Sequence, residues 1–205
     1  MTVKFIQFFD ILSGREDEFN QFALNTYIPG VNAMGYLKIV GSWWVSCGEG
    51  PYCVFEGVAD SVKSINALLQ EDEFGKLNHL LHFLITNYKT KILAPAGSIE
   101  SEIPTERHFR FNHHYNIEYD RLDEYMQFFE DHHLPTMEKL GIKVIGAWRV
   151  AIGPGPYIVT EGCCSSVKQI LQAIGSAEYR DLTSKIFTMV TDFGSKILVP
   201  TGLTP

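Results

Sequence analysis

Hydrophobic and polar residues alternate along Val3–Ile11 and again along Phe109–Ile117, the period-two pattern of a strand that is buried on one face. After each of these segments the period lengthens. In the second, Leu122, Tyr125, Met126 and Phe129 fall at i, i+3, i+4 and i+7 and mark one apolar helical stripe. Pro135 is placed to open a further turn, where its missing N–H matters little, and Gly141 to end it in the left-handed region. Residues 142–152 and 157–161 read as strands, joined through the turn-forming Gly153-Pro154-Gly155-Pro156. Val167–Ile174 and residues 179–192 read as helices, and residues 196–200 as a short closing strand. The order β-α-β-β-α-β is the ferredoxin-like, split-βαβ motif.

The motif is written twice. Gly41 to Gly57 (GSWWVSCGEGPYCVFEG) and Gly146 to Gly162 (GAWRVAIGPGPYIVTEG) are identical at 10 of 17 positions at an offset of 105. The match runs on through Lys91-Ile92-Leu93 against Lys196-Ile197-Leu198, and Pro95 and Gly97 against Pro200 and Gly202. Upstream the offset is 106, pairing Pro29 with Pro135 and Gly35 with Gly141, so the second copy is one residue shorter between Gly141 and Gly146. Residues 1–97 form the first repeat, the polar stretch 98–106 a linker, and residues 107–205 the second repeat. Each antiparallel sheet has helices on one face and needs a cover for the other. The expectation is therefore an α+β protein in which two tandem ferredoxin-like units pack their sheets face to face as an α/β barrel. Helices lie outside, and a cavity between the sheets suits a small ligand.

Composition narrows the functional classes. The formal net charge of −7 argues against nucleic acid, which needs a basic face. No run approaches the length of a membrane span, and the first residues lack the pattern of a secretory leader. Cys47, Cys53, Cys163 and Cys164 form no disulfide framework, so a reducing cytoplasm is the expected compartment. Cys163-Cys164 precede a helix start that Ser165 or Ser166 can cap. Their counterparts Val58-Ala59 favour small buried residues over a reactive thiol. The pattern allows an isologous homodimer.

The second copy resembles the NIPSNAP family of the dimeric α/β barrel superfamily. The resemblance rests on Leu122-Asp123-Glu124-Tyr125, Phe128-Phe129-Glu130 and Leu134-Pro135, then on Gly146-Ala147-Trp148 followed by Ile152-Gly153-Pro154, and on Ile197-Leu198-Val199-Pro200. It implies the fold and the tandem pairing and little about chemistry. Relatives in the wider superfamily look like cofactor-free oxygenases, small lyases, haem enzymes and stress proteins, and fold alone does not choose among them. Where the family's first strand has Arg-x-Tyr, this chain has His113-His114-Tyr115, so no role of that arginine carries over.

Comparison of the copies singles out candidates for chemistry. Gln7, Phe8 and Phe9 become His113, His114 and Tyr115; Thr26 and Tyr27 become His132 and His133; Trp44 becomes Arg149. The second copy has gained titratable groups. His113 or His114 is the candidate general base, Tyr115 a hydrogen-bond donor, Arg149 an anion anchor, and Trp43 and Trp148 an aromatic wall. Neighbours on a strand point to opposite faces, so His113 and His114 cannot serve one site, and the alternation leaves open which of them faces the cavity. His133 is a candidate ligand contact, although a histidine near a helix C-terminus is also explained by the helix dipole. Glu56 and Glu161, kept in both copies, read as structural. No metal-ligand spacing is present, and neither metal nor cofactor is expected; haem would need an exposed proximal histidine. The expected function is that of a NIPSNAP-like protein binding a small apolar or aromatic molecule in the second half-barrel. Cofactor-independent oxygenase- or lyase-type chemistry is open to it. The alternative is a non-catalytic scaffold or protein-interaction barrel.

Overall fold

The structure is a computed structural model that describes residues 2–96 and 108–203. Gly97 and the linker expected at 98–106 lie outside the described residues. The first copy supplies β1 (Val3–Ile11), β2 (Lys38–Cys47), β3 (Cys53–Ala59) and β4 (Ile85–Pro95). The second supplies β5 (Phe109–Ile117), β6 (Lys143–Ile152), β7 (Ile158–Cys164) and β8 (Val190–Pro200). They close into one barrel in the order β1-β3-β2-β8-β5-β7-β6-β4, with antiparallel neighbours throughout. The copies meet along two seams, β2 with β8 and β4 with β6. Because both seams are antiparallel, the pseudo-twofold runs along the barrel axis, and equivalent residues of the copies stand at the same level.

The helices lie outside. In the first copy they are α1 (Glu16–Phe22), α2 (Ile28–Ala33), α3 (Val62–Leu69) and α4 (Asp72–His82). In the second they are α5 (Leu122–Phe128), α6 (Leu134–Lys139), α7 (Val167–Ile174) and α8 (Ala177–Ile186). A π-helical turn joins the first pair in each copy, Ala23–Tyr27 and Phe129–His133. The wider turn rotates the buried stripe away from simple helical spacing. Leu122, the first residue of α5, is 46% exposed, whereas Tyr125, Phe128, Phe129 and His133 are buried. Pro135 sits at the start of α6, Gly141 has φ +77°, and Ser166 caps α7 through the Gln169 N–H, as the sequence leads one to expect.

One element is corrected. The helix expected over residues 179–192 ends at Ile186, and Val190 already begins β8. The β-branched Val190 and Thr191 pair with Ile117 and Asn116 of β5, so sheet closure overrides the helical period there. Cys163 and Cys164 end β7 as buried residues.

Buried apolar side chains among the described residues gather in three clusters. One lies between each sheet and its own helices. The third fills part of the barrel interior with Ile6, Trp43, Val45, Val54, Leu93, Trp148, Val159 and Leu198 from both copies. The repeated Gly-x-Trp has a packing reason in the first copy. The Trp43 indole lies over Gly41, where a Cβ would come within 1.9 Å of the ring.

Candidate site in the barrel interior

The interior encloses a cavity of about 780 Å³ lined by strands of both copies and by the hairpin turns around Gly48–Pro51 and Pro154–Pro156. Its floor is a buried ion cluster. Lys4 Nζ lies 2.8 Å from Glu56 Oε1 and 2.5 Å from Glu161 Oε2, and Arg110 Nη1 lies 3.5 Å from the same Glu161 oxygen. Trp148 Nε1 donates to Glu161 Oε2 at 2.9 Å. Lys4 stands over the Trp148 ring at 4.5 Å, and its repeat counterpart Arg110 over the Trp43 ring at 4.8 Å. Burial pushes the Glu161 carboxyl upward, but Lys4, Arg110 and the hydrogen bonds from Lys4 and Trp148 outweigh it and hold the group below its ordinary value. Two cations and two carboxylates leave the floor neutral.

Above the floor the walls differ. The inner face of β1 carries Ile6 and Phe8, both apolar. The equivalent positions of β5 carry Asn112 and His114, directly above Arg110. Arg110 Nε and Nη1, Asn112 Oδ1 and His114 Nε2 are buried atoms without a hydrogen-bond partner. Leaving such atoms unpaired is unfavourable unless water or a ligand satisfies them. Burial, reinforced by Lys196, Lys91 and His113 and opposed by Glu161, lowers the His114 pKa to about 3, so the imidazole is neutral at ordinary pH.

Two further cations reach upward from the middle of the barrel. Lys91 is rooted beside Ile6, and its counterpart Lys196 beside Asn112. Lys91 Nζ donates to Gly155 O in the hairpin turn at 3.2 Å, and Lys196 Nζ lies 5.7 Å from the Phe8 ring. Burial lowers both pKa values. Lys196 and Lys89 add to the effect on Lys91; on Lys196, Glu49 opposes it and Lys89 adds to it.

The histidine pair divides as strand geometry demands. His114 faces the cavity. His113 and Tyr115 face the helices and belong with His133 to a separate polar cluster inside the second helix-facing core. There His113 Nε2 is 2.9 Å from Tyr179 Oη, and Tyr115 Oη contacts Tyr125 Oη and lies 2.6 Å from Thr160 Oγ1. His133 stands with its ring centroid 5.6 Å from that of His113, and neither of its nitrogens has a partner. Burial holds the His113 pKa down to about 4 and the His133 pKa well below its usual value. The π turn explains why His133 points into the core rather than capping a helix end.

Trp43 lines the cavity with His114 and Trp148 is packed within the interior cluster, whereas Arg149 is exposed on the outer face of β6 and does not meet them. The residues missed by the sequence reading are Lys4 and Arg110, Asn112, and Lys91 and Lys196. The signal for the last pair was present: the aligned Lys-Ile-Leu triplets place both lysines on the inner face of a closing strand. Among the described residues no group of three or more His, Cys, Asp or Glu side chains converges as a metal site, and no helix is long and apolar enough to cross a membrane.

No protein-family model matches the sequence, and no curated protein matches it. Solved structures do match over nearly the whole chain. A chlorite dismutase variant from Candidatus Nitrospira defluvii superposes with a TM-score of 0.69 at 10% identity, covering 98% of this chain and 92% of that one. A provisionally assigned monooxygenase from Lactobacillus acidophilus gives 0.65 at 11% identity, covering 97% and 93%. An anthrone oxidase-like protein gives 0.60 at 10% identity, covering 98% and 91%. The chain therefore has the dimeric α+β barrel fold, with both halves of the barrel supplied by one polypeptide.

Proposed function

We propose that the protein binds a small aromatic or apolar molecule in the barrel interior, with one hydrogen-bonding edge of that molecule against β5. The observation that carries this reading is the row of buried atoms without a hydrogen-bond partner, Arg110 Nε, Asn112 Oδ1 and His114 Nε2, on the strand opposite an apolar wall of Ile6 and Phe8 in a cavity of about 780 Å³. A volume of that order suits a molecule of drug-like size. The site belongs to both copies, with its polar half drawn from the second. The open interior weighs against a filled-barrel scaffold.

An oxygenase-type role is supported only by analogy with the provisionally assigned monooxygenase and the anthrone oxidase-like protein that share the fold. Where the ligand carries an N–H or O–H donor, His114 is a neutral imidazole acceptor in the cavity; with its pKa lowered to about 3 it hydrogen-bonds rather than serving as a general base. The NIPSNAP-like affiliation is part of the same reading and rests on the Gly-x-Trp and Gly-Pro spacing of the second copy.

The test is native mass spectrometry of the full chain incubated with naphthols, anthrones and simple phenols. It is run beside an Asn112→Ile/His114→Phe variant, which gives β5 the inner face of β1. One ligand per chain, lost in the variant while the fold persists, is the expected result. Equal retention by the variant, or no stoichiometric adduct with any of the compounds, removes the proposal.

A further inference from the structure

Resting on that reading, we infer that the ligand carries an anionic group, a carboxylate or phosphate, held at the cavity mouth by Lys91 and Lys196 with its apolar part directed inward. The two lysines come from equivalent strands, β4 and β8, and line the one cavity. Among the described residues neither makes an ion pair. The partner of Lys91 Nζ is the Gly155 carbonyl, and Lys196 Nζ stands over the Phe8 ring. Both side chains are half-buried, whereas the acidic groups that share the mouth, Glu49 and Asp192, are exposed, and Asp192 Oδ2 already accepts from Asn116 Nδ2 at 2.7 Å. Lys89 adds a third, exposed ammonium group.

The floor does not supply a competing anion site, because Lys4 and Arg110 are matched there by Glu56 and Glu161. At the mouth Lys89, Lys91 and Lys196 outnumber Glu49 and Asp192, so its formal charge is positive, in a chain whose net charge is −7. Holding half-buried cations close together is unfavourable: burial lowers both lysine pKa values, Lys89 adds to the effect on each, and the exposed Glu49 opposes it only at Lys196. An anion removes that penalty and gains charge-assisted hydrogen bonds in a partly dry setting. With Phe8, Val54, Leu93 and Leu198 beneath, the fitting ligand is an amphipathic anion that enters tail first.

The experiment compares two fluorescent probes of one skeleton, neutral phenylnaphthylamine and anionic anilinonaphthalenesulfonate, on the full chain and on a Lys91→Met/Lys196→Met variant. Both probes are expected to bind once per chain. The sulfonate should bind about tenfold more tightly, the ratio of one charge-assisted contact. That preference should vanish in the variant and weaken with added salt, while affinity for the neutral probe persists. Displacement of the sulfonate by dodecanoate or by dodecyl phosphate, at lower concentration than by dodecanol, supports the inference and tells which anion is preferred. If the neutral probe binds but the sulfonate binds no better, or if its preference survives in the variant, the anionic inference is overturned and the cavity reading stands. If dodecanol displaces as well as the two anions do, the inference is likewise overturned. If neither probe binds, the cavity reading falls and the inference with it.

Discussion

Lys4 Nζ stands 2.5 Å from Glu161 Oε2, so a buried ion pair spans the barrel interior between strands of different copies that are not neighbours in the sheet. Glu56 of the first copy shares the same ammonium group at 2.8 Å. The two glutamates are the pair that the duplication kept in both halves, and Lys4 and Arg110 are the matching pair of cations. The halves are thus joined by charge across the axis as well as by backbone pairing along the two seams.

Removing the ammonium group should expose what this cluster contributes. Lys4→Met leaves two buried carboxylates facing one guanidinium, and an uncompensated buried charge destabilises by about 3–5 kcal/mol. Adding Glu56→Gln restores a neutral cluster and should recover part of that loss. Urea denaturation of the wild type, the two single variants and the double variant gives the coupling directly. Additive single effects would show that Lys4 and Glu56 do not interact energetically. Because the Glu161 pKa is depressed on folding, its share of the stability is complete above the ordinary carboxylate range and is lost as pH falls through the folded value.

The helix-facing histidines predict a second and earlier acid sensitivity. His113 drops from 6.5 to about 4 on folding, and His133 is held well below its ordinary value by burial and by His113. Between those values the unfolded chain binds protons that the folded chain refuses, so stability declines as pH falls from about 6.5 toward 4. The His113 shift alone corresponds to a loss of about 3 kcal/mol across that window. A His113→Gln/His133→Tyr variant installs the residues of the first copy, where Gln7 Nε2 donates to Tyr27 Oη at 2.7 Å. Its melting temperature should vary less between pH 6.5 and 4 than that of the wild type, the remaining dependence coming from His114, whose pKa burial lowers to about 3. An unchanged slope would place the acid sensitivity elsewhere.

Gly41→Ala tests the packing account of the Gly-x-Trp motif. The new Cβ would fall 1.9 Å from the Trp43 ring, so the indole must leave its place. Overpacking of this kind destabilises by about 1–3 kcal/mol. The displaced indole should also shift the tryptophan emission to longer wavelength. Wild-type stability and emission would mean that the ring is not held against Gly41.

Much of the fold was readable because the repeat states it twice. The alternation over Val3–Ile11 and Phe109–Ile117 matches β1 and β5, and the Gly-Pro stretches fall in the hairpin turns at the cavity mouth. The site was less readable, for a geometric reason. Alternation shows that His113 and His114 face opposite ways but not which way is inward, since both faces of each sheet are covered. Only barrel closure decides this, and it gives the cavity to His114 and the helix side to His113 and Tyr115. His133 lies in the helix-facing core beside His113, a placement the helical period does not show because a π turn does not follow it. Lys4 and Arg110 look like solvent-facing ends of strands until the opposite glutamates are brought across the axis.

Arg149 separates the sequence expectation from the structural one. It was the expected anion anchor, since it replaces Trp44 beside Trp148. Its backbone sits between Ala94 and Ile158, its side chain is exposed, and the inward neighbours on its strand are Trp148 and Val150. Arg149→Ala should therefore change affinity for anilinonaphthalenesulfonate by no more than about twofold, as befits a solvent-screened charge outside the cavity. Lys196→Met should weaken the same binding several times more. Removal of a half-buried cation beside the ligand loses a direct contact, whereas removal of an exposed one alters only a screened field. Titrating both variants with the same probe checks the order. A larger effect from Arg149→Ala would mean that the anion binds on the outer face of β6, and the interior lysines would lose their role.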